Sequence, residues 1–271
     1  MGSEQIAALP MYDYPELAAA HDALWSALSD RLIAAGIADV PRQLTRSLGH
    51  FETWQHPRLL VGQGCEYPLA TSFSGSVRLV ATPRYSAPGC EGATYRSAIV
   101  VRKEDPAERL TDLRGRRCVI NEPDSNSGMN LLRAAIAPLA GGGPFFASVL
   151  LSGAHWSSAA MVAEGRADVA ALDCVSFAHF RRLRPESLVN LRILGWTASS
   201  RSPPFITARA TDDATLGVLR SALASVAADG TLADTRASLF LAGFDFEPDD
   251  KFIGVLSYER QAAALGYPSL V

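Results

Sequence analysis

The residues able to do chemistry gather where apolar runs give way to helical patterns. Cys118-Val119-Ile120 leads through Asn121-Glu122-Pro123-Asp124 into Ser125-Asn126-Ser127-Gly128 and on to Met129-Asn130-Leu131-Leu132. Serine and asparagine at such a start cap the helix, because their side-chain oxygens accept from its first backbone N–H groups. The same start can turn hydroxyls, a carboxamide and backbone N–H groups outward, which together make an anion site. Capping alone would also account for these residue types. Glu122 and Asp124, in the same loop, either face away from an anion or meet the cationic part of a zwitterion.

Two further strand ends carry polar groups. Leu151-Ser152-Gly153-Ala154 runs into His155-Trp156-Ser157-Ser158, where His155 could donate to a ligand oxygen or serve as a structural donor. Asp173 ends the apolar run Val169-Ala170-Ala171-Leu172 and either caps the next helix or faces a cleft. Signatures of catalysis are missing: the chain has no G-x-S-x-G, H-E-x-x-H or P-loop. Gly62-Gln63-Gly64 begins like a dinucleotide loop, but Tyr67 stands where the third glycine belongs. His50 and His56 flank Glu52 at a separation that fits no standard zinc motif. No catalytic residue, metal site or cofactor is therefore expected. Cys65, Cys90, Cys118 and Cys174 form no C-x-x-C pair, which leaves buried thiols or a Cys65–Cys90 disulfide.

A chain of 271 residues can fold as one large domain or as two lobes, each with its own core. Its 48% hydrophobic and 20% charged residues are those of an ordinary globular protein. The net charge of -3, from 25 basic and 28 acidic residues, gives no field that would attract nucleic acid or an anionic membrane. The basic runs Arg114-Gly115-Arg116-Arg117 and Arg181-Arg182-Leu183-Arg184 read as a solvated turn and a helix end. Ala134 to Ala154 is uncharged and long enough to span a bilayer, but Gly141-Gly142-Gly143-Pro144 interrupts it. A helix end, a loop and a strand are expected there instead of a membrane span. The N-terminus shows no basic segment followed by an apolar one, and Met1-Gly2-Ser3 could stand in place of a secretory signal. The expected compartment is periplasmic if a signal peptide has been removed, and cytoplasmic otherwise.

Short apolar strands alternate with amphipathic helices. A first series has strands at Ile6–Leu9, Leu59–Val61 and Val77–Ala81, with a helix from Leu17 toward Gly36. A second has strands at Ser97–Val101, Cys118–Ile120, Ser148–Leu151, Val169–Leu172 and Leu191–Leu194. After a polar connection at Ala198–Pro204, Phe205–Thr207 reads as a strand and the remainder as Ala/Leu-rich helix. The pattern predicts an α/β protein whose mainly parallel sheets are flanked by helices and whose ligands sit at the carboxyl ends of strands. The lobes expected are residues 1–93 plus 199–271, and an inserted 94–198, joined by a hinge of two chain crossings.

Taken in order, Tyr95-Arg96-Ser97-Ala98-Ile99-Val100-Val101-Arg102, Leu113-Arg114-Gly115-Arg116-Arg117, Ser125-Asn126-Ser127-Gly128, Gly153-Ala154-His155 and Ala167–Asp173 resemble a known family. It is that of the phosphate/phosphonate-type substrate-binding proteins of ABC transporters, within the two-lobed type 2 periplasmic binding fold. The resemblance is clearest over residues 94–175. It implies an interlobe cleft in which an oxyanion is held by Ser125, Asn126, Ser127 and Gly128, with Tyr95 at the hinge, His155 and Asp173. Asn126 departs from the threonine usual in that motif. Gln63 and Tyr12, with Tyr14 beside it, would come from the first lobe. Arg96, next to Tyr95 on an extended segment, would point the other way. The anion would then be held by neutral donors and a helix dipole.

The function expected is capture of a small anionic or zwitterionic ligand, phosphonate-like or phosphate-like, for an ABC transporter permease. The alternative is a cytoplasmic enzyme or sensor on the same fold, acting on a small carboxylate or phosphorylated metabolite. In the enzyme, His155 and Asp173 would be the acid/base pair.

Overall fold

The computed structural model of the chain describes residues 5–248 and 252–270. In chain order the elements begin with β1 (Ile6–Ala8), α1 (Ala18–Ala34), α2 (His50–Trp54), β2 (Leu59–Gln63), α3 (Glu66–Ala70) and β3 (Val77–Tyr85). Next come β4 (Thr94–Tyr95), β5 (Ser97–Arg102), β6 (Arg117–Ile120), α4 (Leu131–Ala140), β7 (Ser148–Leu151), α5 (His155–Ala163), β8 (Val169–Asp173), α6 (Cys174–Leu183) and β9 (Leu191–Trp196). The chain continues with β10 (Ser200–Arg201), β11 (Phe205–Ala208), α7 (Asp213–Ala228), α8 (Ala233–Ser238), β12 (Leu241–Asp245) and α9 (Leu256–Ala264). Among the described residues no helix is long and apolar enough to cross a membrane.

Two compact units result. The first takes the described residues of Met1–Ser86, Glu91–Ala93 and Arg201–Phe252; the second takes Ala87–Cys90, Thr94–Ser200 and the described residues of Ile253–Val271. The first unit holds a mixed sheet of order β1-β2-β11-β3-β12, in which β1 and β2 are parallel and β11 and β12 run against their neighbours. Its core includes Trp54, Leu59, Leu69, Phe73, Val77 and Ile206. Leu24, Leu28 and Leu32, one turn apart along α1, are buried. The helix ends where Gly36 takes φ +86°, a left-handed conformation that lets Ile37 N–H reach back to the Leu32 carbonyl.

In the second unit the order is β7-β6-β8-β5-β9, with β7, β6 and β8 parallel and β5 antiparallel to both neighbours. Ala98 to Val101 and Val169 to Leu172 are almost wholly inaccessible. This is why both strands read as continuous apolar runs and not as alternating ones. Gly141, at φ +70°, ends α4 and divides the uncharged stretch into helix, loop and strand.

Two readings of the C-terminal third need correction. Leu241–Asp245 is a strand paired with β3, not helix; its phenylalanine and leucine are buried against the sheet, and packing overrides the surrounding alanine-rich pattern. The last segment does not stay with the first unit. The chain returns after Phe252, and residues through α9 to Leu270 belong to the second, where Ala262, Tyr267 and Leu270 are buried.

The starts of β6 and β8 are tied by a forked ion pair. Asp168 accepts from Arg117 N–H at 2.9 Å, Nε at 3.1 Å and Nη2 at 2.9 Å. Hydrogen bonds from the Arg117 side chain hold its carboxyl down at about 2. A carboxyl depressed in the folded state stabilises above its unfolded pKa, and that stability is lost as pH falls through the folded one. Asp168→Ala is therefore expected to lower unfolding free energy by about 2 kcal/mol at pH 7. In denaturant titrations Asp168→Asn should flatten the loss of stability seen between pH 3.8 and about 2.

Candidate functional site

The helix start anticipated at Ser125–Gly128 opens with one π turn, Asn126–Asn130, before continuing as α4. Asn130 N–H bonds the Ser125 carbonyl five residues back at 3.0 Å. Ser125 caps the turn, its Oγ accepting from Gly128 N–H at 3.0 Å. A Cβ on Gly128 would lie 1.7 Å from Asn121 Oδ1, so only glycine lets that carboxamide rest against the helix start.

Behind the turn lies a buried polar chain whose orientation follows from its last member. Arg133 is 5% exposed, and its guanidinium can only donate. The Asn130 atom 2.7 Å from Arg133 Nη2 must therefore be the amide oxygen. Asn130 Nδ2 then donates to Asn126 Oδ1 at 3.0 Å. That leaves Asn126 Nδ2 to donate to the Tyr95 hydroxyl at 3.2 Å and to Ser200 Oγ at 3.0 Å. Every bond runs away from the guanidinium. The Tyr95 and Ser200 oxygens accept, so their protons turn away from Asn126. Arg133 Nη1 donates to the Pro268 carbonyl at 2.9 Å, which ties the C-terminal segment to the same network.

Ser127 and His155 meet on the other side of the turn, Oγ and Nε2 being 2.8 Å apart with one proton between them. Burial pushes the His155 imidazole down to about 4, against a smaller opposite pull from the Ala171 backbone, so the ring is neutral at pH 7. Asp173 caps α6, its Oδ1 accepting from Val175 N–H at 2.8 Å and Ser176 N–H at 2.9 Å. It also stands opposite Ser97 in the β5/β8 ladder, and Ser97 Oγ donates to the Ser127 carbonyl at 2.8 Å. Tyr95, Ser125, Asn126, Ser127, Gly128 and His155 are thus joined directly, with Asp173 connected through Ser97. Arg96 is exposed and donates to Ser199 Oγ at 3.2 Å. Burial and the neighbouring Asp124 raise the Glu122 carboxyl above its usual range.

Tyr12 and Gln63 lie in the first unit, in a cluster of their own. Gln63 Nε2 donates to the Tyr85 hydroxyl at 2.8 Å and to the Pro203 carbonyl at 3.2 Å, and the Tyr12 and Tyr85 rings meet edge-on at 5.3 Å. Nearby in sequence, burial pushes the Glu66 carboxyl up to about 8, against the pull of Arg201 with its Nε 3.6 Å away. Among the described residues no group of three or more His, Cys, Asp or Glu is placed to hold a metal ion.

The sequence reading passed over Asn130, Arg133, Ser97 and Ser200. The first two had a signal: Asn126, Asn130 and Arg133 recur at the four- and three-residue steps that share one helix face. Ser97 and Ser200 had none, because their roles depend on strand pairing.

Solved structures share this architecture. The chain superimposes on PhnD1 from Prochlorococcus marinus in complex with methylphosphonate with a TM-score of 0.75, at 14% identity over 96% of this chain and 98% of that one. A binding-protein component of an ABC phosphonate transporter from Pseudomonas aeruginosa gives 0.71, at 14% identity over 97% and 89%. XAC2383 from Xanthomonas citri bound to ATP gives 0.71, at 17% identity over 97% and 98%. At such identities the likeness establishes the fold, that of the two-lobed periplasmic binding proteins. No curated protein matches the sequence. The family model for the periplasmic phosphonate substrate-binding proteins of ABC transporters matches residues 6–250, and the chain belongs to that family.

The neutral imidazole has a measurable consequence. A histidine whose folded pKa lies below its unfolded value makes stability fall as pH drops from 6.5 toward 4. His155→Gln should make that dependence shallower, by at most one proton or about 1.4 kcal/mol per pH unit, in unfolding titrations across the window.

Proposed function

We propose that this chain is the solute receptor of a phosphonate ABC transporter, acting in the periplasm. It binds one ligand without chemical turnover and presents it to a membrane permease. The observation that carries the reading is the one-way donor chain from Arg133 through Asn130 and Asn126 to Tyr95 and Ser200, beside the Ser127–His155 pair, in a member of the phosphonate-binding family.

In this reading the ligand's oxygens are received at the helix start by the hydroxyls of Tyr95 and Ser127 and by backbone N–H groups. Ser125 and Gly128 shape the turn, and Asn126 works from behind it. His155, uncharged, orients the Ser127 hydroxyl; Asp173 holds the β8–α6 turn. Tyr12 and Gln63 serve as supports of the first unit's core. Glu122 and Asp124 in the approach loop disfavour a bare anion and favour a phosphonate that also carries a cationic end. A phosphonate ligand fits the methylphosphonate complex of the Prochlorococcus relative.

Isothermal titration with phosphate, phosphite, methylphosphonate and 2-aminoethylphosphonate tests this. One site is expected, with the aminoalkyl phosphonate bound at least about tenfold more tightly than phosphate and recovered unchanged. Ser127→Ala and His155→Ala should each weaken it by about tenfold or more, the loss of a charge-assisted hydrogen bond or of its orientation. No heat with any of the four ligands, or product appearing from them, would contradict the reading.

A further inference from the structure

Cys90 and Cys174 stand 84 residues apart in sequence, yet their Sγ atoms are 3.4 Å apart in the second unit. The partner considered for Cys90 from sequence, Cys65, belongs to the first unit. Backbone bonds hold each thiol where it is. Cys90 N–H donates to the Ala87 carbonyl at 3.0 Å, and Cys174 N–H donates to the Arg96 carbonyl at 3.1 Å. The loop between Ala87 and Cys90 is pressed on Cys174: Gly89 takes φ +100°, and a Cβ there would lie 2.9 Å from Cys174 Cβ and 2.8 Å from the Trp196 ring. Sulfur atoms so close need to approach by only about 1.4 Å to reach the length of a disulfide.

We propose that Cys90 and Cys174 are a disulfide-forming pair that locks the 87–90 loop onto the start of α6, next to Asp173. The oxidant is an external disulfide, supplied by a small thiol couple or a thiol–disulfide oxidoreductase. Cys90, half-buried, attacks first as thiolate; it forms a mixed disulfide and releases one external thiol. Cys174 then loses its proton and attacks the Cys90 sulfur, expelling the second external thiol. Two protein thiols are oxidised, and one external disulfide is reduced to two thiols. The order follows from access: Cys174 is buried, and its bond to Cys90 together with burial raises its pKa, so it is the poorer first nucleophile. The bond would close a long loop and restrict the unfolded chain, so it should stabilise the unit in an oxidising compartment.

The test equilibrates the purified chain with an oxidised/reduced glutathione buffer, then alkylates, digests without reductant and maps the peptides by mass. The expected result is loss of two hydrogen masses, a single linked peptide pair containing Cys90 and Cys174, and Cys65 and Cys118 alkylated after unfolding. The oxidised protein should melt about 5 °C or more above the reduced one, and Cys90→Ser should abolish both the mass loss and that difference. Both thiols remaining alkylatable at oxidising ratios, a persistent glutathione adduct on Cys90, or a link involving Cys65 would each overturn the proposal. An unchanged melting temperature on oxidation would overturn the clamping role.

Discussion

A guanidinium removed from water, able only to donate, fixes how the buried amides of the second unit are turned. Arg133 sits in the first turn of α4, and its neighbours must present oxygen to it. That requirement sets Asn130, which sets Asn126, which makes acceptors of the Tyr95 and Ser200 oxygens. Amide side chains can ordinarily turn either way; here a fixed charge at one end removes the choice. In a medium of low polarisability such a chain strengthens along its length, so part of the cation's influence reaches the hydroxyls at its far end. In the proposed receptor, a ligand oxyanion at those hydroxyls would feel a positive charge that does not touch it.

The rest of the unit keeps that chain dry and in register. The π turn brings Asn126, Ser127 and Asn130 into the interior together. Glycine at 128 leaves space for the Asn121 carboxamide, and Ser97 in β5 pins the Ser127 carbonyl while facing Asp173 across the sheet. The C-terminal segment supplies the Pro268 carbonyl that accepts from Arg133 Nη1. A buried donor left unsatisfied by loss of an acceptor costs about 1–3 kcal/mol, and more where the donor is charged. Order in the site and stability of the unit therefore rest on the same bonds.

Much of this was legible in the residues. The apolar runs of β5, β6 and β8, the left-handed glycine ending α1 and the break at Gly141 all reflect local rules, and local rules leave marks in sequence. The helix start at Ser125 was legible too, although whether it only caps its helix depends on partners far away in the chain. What escaped notice depended on tertiary placement. Arg133 was passed over because nothing nearby in sequence reports that Pro268 folds over it. Leu241–Asp245 became a strand because β3 offered an open edge, not because of its composition. The return of residues after Phe252 to the second unit left no local mark at all.

In the proposed receptor the buried cation acts on the ligand through the amide chain and the Tyr95 hydroxyl. A double-mutant cycle on phosphonate affinity, comparing Tyr95→Phe, Arg133→Met and the pair by titration calorimetry at pH 7, measures that connection directly. If the account is right, each single change weakens binding and the double variant loses little beyond the Tyr95→Phe loss, because the hydroxyl is the route by which the charge is felt. Strictly additive losses, or an Arg133→Met protein that folds and binds with wild-type affinity, would contradict it.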